Sequence, residues 1–288
     1  MSIKVIAEIG CNHRGRKEIA IEMITEAAKC GANFAKFQKR NPKECLRKEI
    51  YNGPHPNPCN SYGSTYGEHR EALEFDINVH AELKQVCIDN HITYNCTPFD
   101  LTSAREVIEL GTEVIKVSSF HNNQTDLLKY IFDNHNGEIH ISLGMTTKDE
   151  LSDLIALSKS YAREKDIVLF WCTSAYPCPP SQLYLKEIKS LFDKYSNDFK
   201  AIGLSGHHDG ISMDLIALTY GASYFERHFT LDHNWKGTDH KVSLEPSGLT
   251  RLIRDLNSGV EALNFKPKDI VEIENHNRNF HKFIPISK

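Results

Sequence analysis

The sequence predicts an α/β chain folded as a (β/α)8 TIM barrel. Eight short runs rich in β-branched and aromatic residues recur along it, at 3–10, 34–38, 93–99, 114–119, 139–144, 167–174, 201–207 and 223–230. A helical pattern follows each run, so strand and helix alternate in the way that forces a parallel sheet with helices outside it. The length of 288 residues suits one such barrel. A doubly wound open sheet is the alternative, but no GxGxxG follows the first strand to support it.

The individual elements read as follows. "IKVIAEIG" opens the chain as a strand, with neither the apolar run nor the cleavage site of a signal peptide. "EIAIEMITEAAKCG" (18–31) and "TSAREVIELG" (102–111) are helices ending on a glycine suited to a C-cap. Thr102 and Ser103 stand near the start of the second. Residues 147–165 place Leu151, Leu154, Ile155 and Leu157 on one apolar side of a helix, and 247–263 form the last long helix. Residues 40–70 break the rhythm, being rich in Pro, Gly and Asn. A loop this long in a compact domain is commonly functional, and its place after strand two predicts a lid over the C-terminal mouth of the barrel. The stretch 266–288 is polar and irregular and reads as a tail. The expected organisation is a barrel domain over 1–265 and a tail over 266–288.

Composition narrows the function. The formal net charge of −4 argues against a nucleic-acid or anionic-membrane partner. No apolar run reaches the length of a membrane span. The eight cysteines (11, 30, 45, 59, 87, 96, 172 and 178) include no CxxC pair, so the expectation is free thiols in a cytoplasmic protein and no structural zinc.

Chemistry on a barrel sits at the C-terminal strand ends. Those ends are polar here: Glu8, Asn12 and His13; Lys36 and Gln38; Thr97; Lys116, Ser118 and Ser119; Ser142; Thr173, Ser174 and Tyr176; Ser205, His207 and His208; Glu226 and His228. In "YFERHFT" (224–230), period-two alternation puts Tyr224, Glu226 and His228 on one face and Phe225, Arg227 and Phe229 on the other. Two strand lysines, Lys36 and Lys116, need counter-charge if buried. A bound phosphate or carboxylate ringed by Ser and Thr hydroxyls would supply it, and the competing reading pairs each lysine with an acid such as Glu8. His207 and His228, on adjacent strands, can share a divalent ion with positions left open for substrate, with Glu226 beside them as ligand or base; the plainer reading is hydrogen-bonded core histidines.

The order of these pieces resembles the sialic acid synthase family, enzymes that condense phosphoenolpyruvate with a sugar aldehyde. The matching stretches are "AEIGCNHRG" (7–15), "AKFQKR" (35–40), "TPFD" (97–100), "IKVSS" (115–119), "SLGM" (142–145), "CTSAYPCPP" (172–180), "GLSGHH" (203–208), "GASYFERHFT" (221–230) and "GTDHKVSLEP" (237–246). The resemblance implies that Lys36, Thr97, Lys116, Ser119, Ser142, Ser174 and Ser205 hold phosphoenolpyruvate. It implies that His207 and His228 bind Mn2+ or Mg2+, that Glu8 and Glu226 lie near the reacting atoms with Lys116, and that Gln38, Tyr176 and Asp239 face the sugar. The implied product is a 2-keto-3-deoxy sugar acid, sialic acid-like, for surface polysaccharide or glycan synthesis. The implied assembly is a homodimer or homotetramer.

The chain departs from the family pattern in three places. Residues 271–283 resemble the linker to the family's antifreeze-like domain, and that domain, with its sugar-facing arginine, is expected to be missing. "SSFHNN" places His121 where the family has a glutamate, and "SGHH" replaces Ser-Asp-His-Thr. These departures argue against assigning N-acetylmannosamine as the acceptor. Tyr66, Glu68, His69 or Arg70 of the long loop would then supply replacement contacts, unless that loop is a solvated turn. Two other functions fit the residues: a Schiff-base pyruvate aldolase with Lys116 as nucleophile, and a non-catalytic barrel that binds sugar acids or phosphate.

Overall fold

The computed structural model describes residues 2–282; residue 1 and the end of the expected tail, 283–288, lie outside the described residues. Eight strands close into a barrel in chain order: β1 (Lys4–Gly10), β2 (Phe34–Lys39), β3 (Thr93–Pro98), β4 (Val114–Val117), β5 (Glu138–Ser142), β6 (Ile167–Cys172), β7 (Ala201–Gly206) and β8 (Tyr224–His228). All neighbouring pairs are parallel, and β8 closes on β1 through Ile6 opposite Glu226 and Glu8 opposite His228. Eight principal helices pack outside: α1 (Lys17–Lys29), α2 (Ile77–Asp89), α3 (Leu101–Glu109), α4 (Thr125–Asn134), α5 (Lys148–Ser160), α6 (Lys186–Tyr195), α7 (Ser212–Thr219) and α8 (Pro246–Ala262). No helix among the described residues is long and apolar enough to cross a membrane.

The alternation within each strand separates two cores. Outward residues such as Val5, Ala7, Ile9, Phe37, Ile115, Leu169 and Phe225 pack under the helices. Inward residues Ile6, Phe34, Val114, Val168, Phe170 and Tyr224 fill the lower barrel. His140, hydrogen-bonded to Glu138 at 2.6 Å, is buried among Phe34, Phe170 and Tyr224 in the same layer. The polar residues therefore occupy the upper half, open to the C-terminal mouth.

Several boundaries differ from the sequence reading. The expected strands at 114–119, 139–144, 167–174 and 223–230 end two residues early, because the chain leaves the ladder there to build the mouth. The helix expected over 147–165 ends at Ser160, just before Ala162 takes a left-handed conformation (φ 53°). The start of α3 is capped not by Thr102 or Ser103 but by Asp100, whose carboxylate accepts from the Ser103 amide at 2.7 Å. The segment after β2 is not an open loop. It carries short helices at Pro42–Cys45, Lys48–Tyr51 and Tyr66–Glu71, the last opened by a capping box between Thr65 and Glu68. The expected irregular tail contains a helix at Asn275–His281. All eight cysteines are free, as the sequence suggests.

Candidate active site

β8 shows how one strand serves two sides. Outward, the guanidinium of Arg227 donates to Asp214 of α7 and to the His208 carbonyl, and His208 Nε2 lies 3.1 Å from the same carboxylate. All three side chains are fully buried. This ion pair ties α7 to the barrel wall, so His208 belongs to the scaffold and not to the strand-end chemistry. Inward, Glu226 and His228 face the mouth.

Glu226 sits at the centre of a buried charge cluster. Its carboxylate lies 3.1 Å from Lys116 Nζ and 3.7 Å from Lys36 Nζ, and accepts from Ser205 Oγ at 2.9 Å. Lys36 also pairs with Glu8 at 2.7 Å and donates to Thr97 Oγ1 at 3.1 Å. Lys116 lies 3.7 Å from the centre of the Phe170 ring. Both lysines thus have carboxylate partners, the plainer of the two sequence readings. Two ammonium and two carboxylate groups sum to zero charge, so an arriving anion must displace a carboxylate or find an added cation. Burial opposes ionisation of Glu226, but Lys116 and Lys36 outweigh it and hold the carboxyl well below its usual range. Burial dominates for Lys116 and lowers its ammonium; for Lys36 burial is outweighed by Glu226 and Glu8, and the ammonium is raised.

Gln38 is oriented at both ends: its Nε2 donates to Glu8 at 2.7 Å, and its Oε1 accepts from Arg40. Arg40 is buried, stacks 4.1 Å over Phe99 and pairs with Glu74 at 3.2 Å. The sequence reading assigned Arg40 no role; its position immediately after the strand that carries Lys36 and Gln38 was the available signal.

On the opposite side of the mouth, Ser119 and Ser174 hydroxyls are 3.0 Å apart. Gly144 lies between them, and a Cβ there would come within 2.3 Å of Ser174 Oγ and 3.1 Å of Ser119 Cβ. This glycine, unassigned from sequence, is what lets three strand ends converge. Ser142, buried beside it, has its carbonyl bound by Asn122 at 2.7 Å. Asn12 and His13 fall outside the cluster. Asn12 ties β1 to the Phe229 carbonyl and Ser243, and His13 stacks 4.2 Å from Phe75. Ser118 likewise turns to His121 (2.8 Å), and Thr173 to the Gln182 carbonyl (3.0 Å).

His207 and His228 meet with ring centroids 5.4 Å apart, beneath Tyr176, whose ring is 4.1 Å from His207. His207 Nδ1 faces the Thr173 carbonyl at 3.1 Å, so it carries the proton and Nε2 keeps a free lone pair. Burial and the neighbouring His228 push His207 down to about 3, leaving it neutral. His228 Nδ1 is buried without a hydrogen-bond partner, 3.8 Å from Asp239 Oδ2. Two imidazoles with unused nitrogens fit a divalent ion bound with open positions; among the described residues no cluster of three or more His, Cys, Asp or Glu offers a closed site.

A family model described as the NeuB family matches residues 23–268. The chain belongs to the NeuB family. It is 34% identical over 276 residues to the N,N'-diacetyllegionaminic acid synthase of Campylobacter jejuni, covering 96% of this chain and 81% of that one. It is 34% identical over 270 residues to the N-acetylneuraminate-9-phosphate synthase of Homo sapiens, covering 94% and 74%. Its fold superposes on the sialic acid synthetase of Leptospira borgpetersenii, crystallised with citrate, with a TM-score of 0.81 and 27% identity over 98% of this chain and 92% of that one. The barrel shared with this synthetase is the one expected from the strand and helix rhythm.

Proposed function

We propose that this NeuB-family enzyme condenses phosphoenolpyruvate with a sugar aldehyde and water to give a 2-keto-3-deoxy sugar acid and phosphate. The observation that carries the reading is one mouth holding two buried lysines, a ring of hydroxyls and two convergent histidines. Phosphoenolpyruvate needs cations and hydroxyl donors for its phosphate and carboxylate. Lys36, Lys116, Thr97, Ser119, Ser142, Ser174 and Ser205 supply both. Gln38, Tyr176 and Asp239 line the side left for the sugar. His207 and His228 would hold Mn2+ or Mg2+, which when bound polarises the aldehyde oxygen as a Lewis acid.

In the reaction, C3 of phosphoenolpyruvate forms a bond to the aldehyde carbon, whose oxygen takes a proton. Positive charge develops at C2, water adds there, and the C–O bond to phosphate breaks to leave the ketone. Glu226, kept ionised by two lysines, lies where that charge would develop and stabilises it electrostatically. The lysines stabilise the departing phosphate. Glu8, held by Lys36 and Gln38, carries the second negative charge near the reacting carbons. The walls hold the two reactants together, which removes much of the entropic barrier.

Phosphate release from phosphoenolpyruvate with Mn2+, measured across a panel of sugars, tests this. Sugar-dependent release is expected; none with any sugar, despite Mn2+ binding, refutes it. One observation favours a second reading. The burial-lowered ammonium of Lys116 is the kind that forms a Schiff base. Borohydride trapping with pyruvate separates the two, since the proposed reaction predicts no covalent adduct.

A further inference from the structure

Gln38 is the half-buried end of a chain of contacts that runs back into the protein. Its amide meets different partners on its two sides. Nε2 donates to Glu8 Oε1 at 2.7 Å, and Glu8 is itself anchored through its other oxygen by Lys36 at 2.7 Å. Oε1 accepts from Arg40 Nη2 and from the Cys11 thiol, whose sulfur is 3.7 Å away. Cys11 in turn accepts from Arg40 Nη1 at 3.7 Å. One guanidinium therefore holds the amide oxygen both directly and through a thiol.

Arg40 is fixed from behind. It is buried, its Nε is ion-paired with Glu74 Oε1 at 3.2 Å, and Glu74 Oε2 accepts from the Arg40 backbone amide at 3.0 Å. The guanidinium lies 4.1 Å over the Phe99 ring. Glu74 cancels its charge, so Arg40 is not a free cation awaiting an anion. Gly10 makes room for the amide: a Cβ there would come within 3.1 Å of both Gln38 Nε2 and Glu8 Oε1, and its φ of 53° suits glycine.

A glutamine amide can turn over and exchange its oxygen for its nitrogen. Turned over here, Oε1 would face the Glu8 carboxylate and Nε2 would face the guanidinium. Both contacts would be repulsive, so both neighbours select the same orientation. In that orientation Oε1 has two donors, which use both of its lone pairs. Of the two Nε2 hydrogens, one goes to Glu8, and among the described residues the other has no acceptor. A donor is what Gln38 has left to offer the mouth.

We infer that Arg40, held by Glu74, is a positioning residue that locks Gln38 as a hydrogen-bond donor to the acceptor sugar, so that the sugar group facing Gln38 is a hydroxyl or carbonyl oxygen with a free lone pair. The inference rests on the synthase reading above, in which Gln38 lines the side left for the sugar. Arg40 acts through Gln38 and not on the substrate. Lysine cannot take its place, because an ammonium is a point charge without the planar fork that reaches Glu74, Cys11 and Gln38 at once.

The test is Arg40→Lys, which keeps a buried cation opposite Glu74 and with it the fold, crossed with Gln38→Met. Phosphate release with Mn2+ and the sugar that the parent turns over best gives kcat and both KM values. Arg40→Lys is expected to raise the sugar KM by about fivefold to fiftyfold and to leave the phosphoenolpyruvate KM within about twofold. In the Gln38→Met background the same substitution should move the sugar KM by less than about twofold, since the amide it positions is gone. A merely structural role would act equally in both backgrounds. Should Arg40→Lys fail to fold, Glu74→Gln, which loosens the guanidinium and keeps an oxygen for the Arg40 amide, takes its place in the same cycle with the same expected pattern. Equal effects in the two backgrounds, or an unmoved sugar KM, overturn the positioning role and leave the synthase standing. No sugar-dependent release from the parent with any acceptor overturns the synthase reading, and this one with it.

Discussion

Replacing Glu226 with Gln tests whether the two lysines are poised for an anion. The substitution keeps the shape and leaves Lys36 its partner Glu8, 2.7 Å away. Lys116 loses the carboxylate at 3.1 Å, its one salt bridge among the described residues, and keeps the Phe170 ring. Breaking a buried pair by removing one partner costs about 3–5 kcal/mol. The loss is capped, because Lys116 can shed its proton: an ammonium of ordinary pKa near 10.4 does so at pH 7 for about 4.6 kcal/mol. The cap falls by about 1.4 kcal/mol per pH unit, so the defect should shrink to about 2 kcal/mol at pH 9. At pH 7 the midpoint should fall by roughly 6–20 °C.

The same variant turns a neutral cluster into one of charge +1. Inorganic phosphate or phosphoenolpyruvate should then stabilise Glu226→Gln more than the parent, since a ligand that binds only the folded state raises the melting temperature by an amount that grows with the logarithm of its affinity. Differential scanning fluorimetry at pH 7 and pH 9, with and without phosphate, reads all four quantities. A variant as stable as the parent at pH 7 would show that Lys116 is not charged in the parent. Equal stabilisation of the two proteins by phosphate would show that the lysines do not receive the anion.

Three further outcomes follow from the geometry. His207→Ala and His228→Ala should each lose metal-dependent turnover and weaken Mn2+ binding, measured by calorimetry; full activity after thorough chelation would refute the metal assignment. Gly144→Ala should lower kcat/KM for phosphoenolpyruvate by tenfold or more while the fold survives, because the new methyl meets Ser174 and Ser119 and not the barrel core. His80, lowered to about 3 by burial and Lys39, binds no proton in the folded state until well below its unfolded value near 6.5. Its contribution is therefore present above pH 6.5 and is lost as pH falls from there towards 3, by about 1.4 kcal/mol per unit. His80→Phe should flatten the acid limb of a stability–pH curve, and an unchanged limb would assign acid unfolding to other groups.

The barrel was legible because strand and helix periods differ and alternate without interruption. The inward set was legible from period two alone: Glu8, Lys36, Lys116, Glu226 and His228 all point where alternation puts them. Less legible was who pairs with whom. Lys36 and Lys116 could equally have awaited a ligand or met a carboxylate, and only the register that sets Glu8 beside both Lys36 and His228 decides it. His207 and His208 are neighbours in sequence with opposite fates, one to the mouth and one to Asp214, because the strand ends between Gly206 and that pair. Arg40, Arg14 and Lys236 lie on loops, where no period applies and partners come from distant segments.

β8 also explains why the two charge systems need not interfere. Glu226 and Arg227 are adjacent, oppositely charged and both buried, yet each is neutralised on its own side of the wall. Had Arg227 faced inward it would have capped Glu226, and the lysines would have lost the partner that keeps them charged without a ligand. Directing Arg227 to Asp214 leaves Glu226 to Lys36 and Lys116. The inner cluster is thereby neutral at rest, so its affinity for an anion must come from charge supplied at the rim or at the histidine pair. The site formed by His207 and His228 stands at the strand ends above it, where an incoming substrate meets it first.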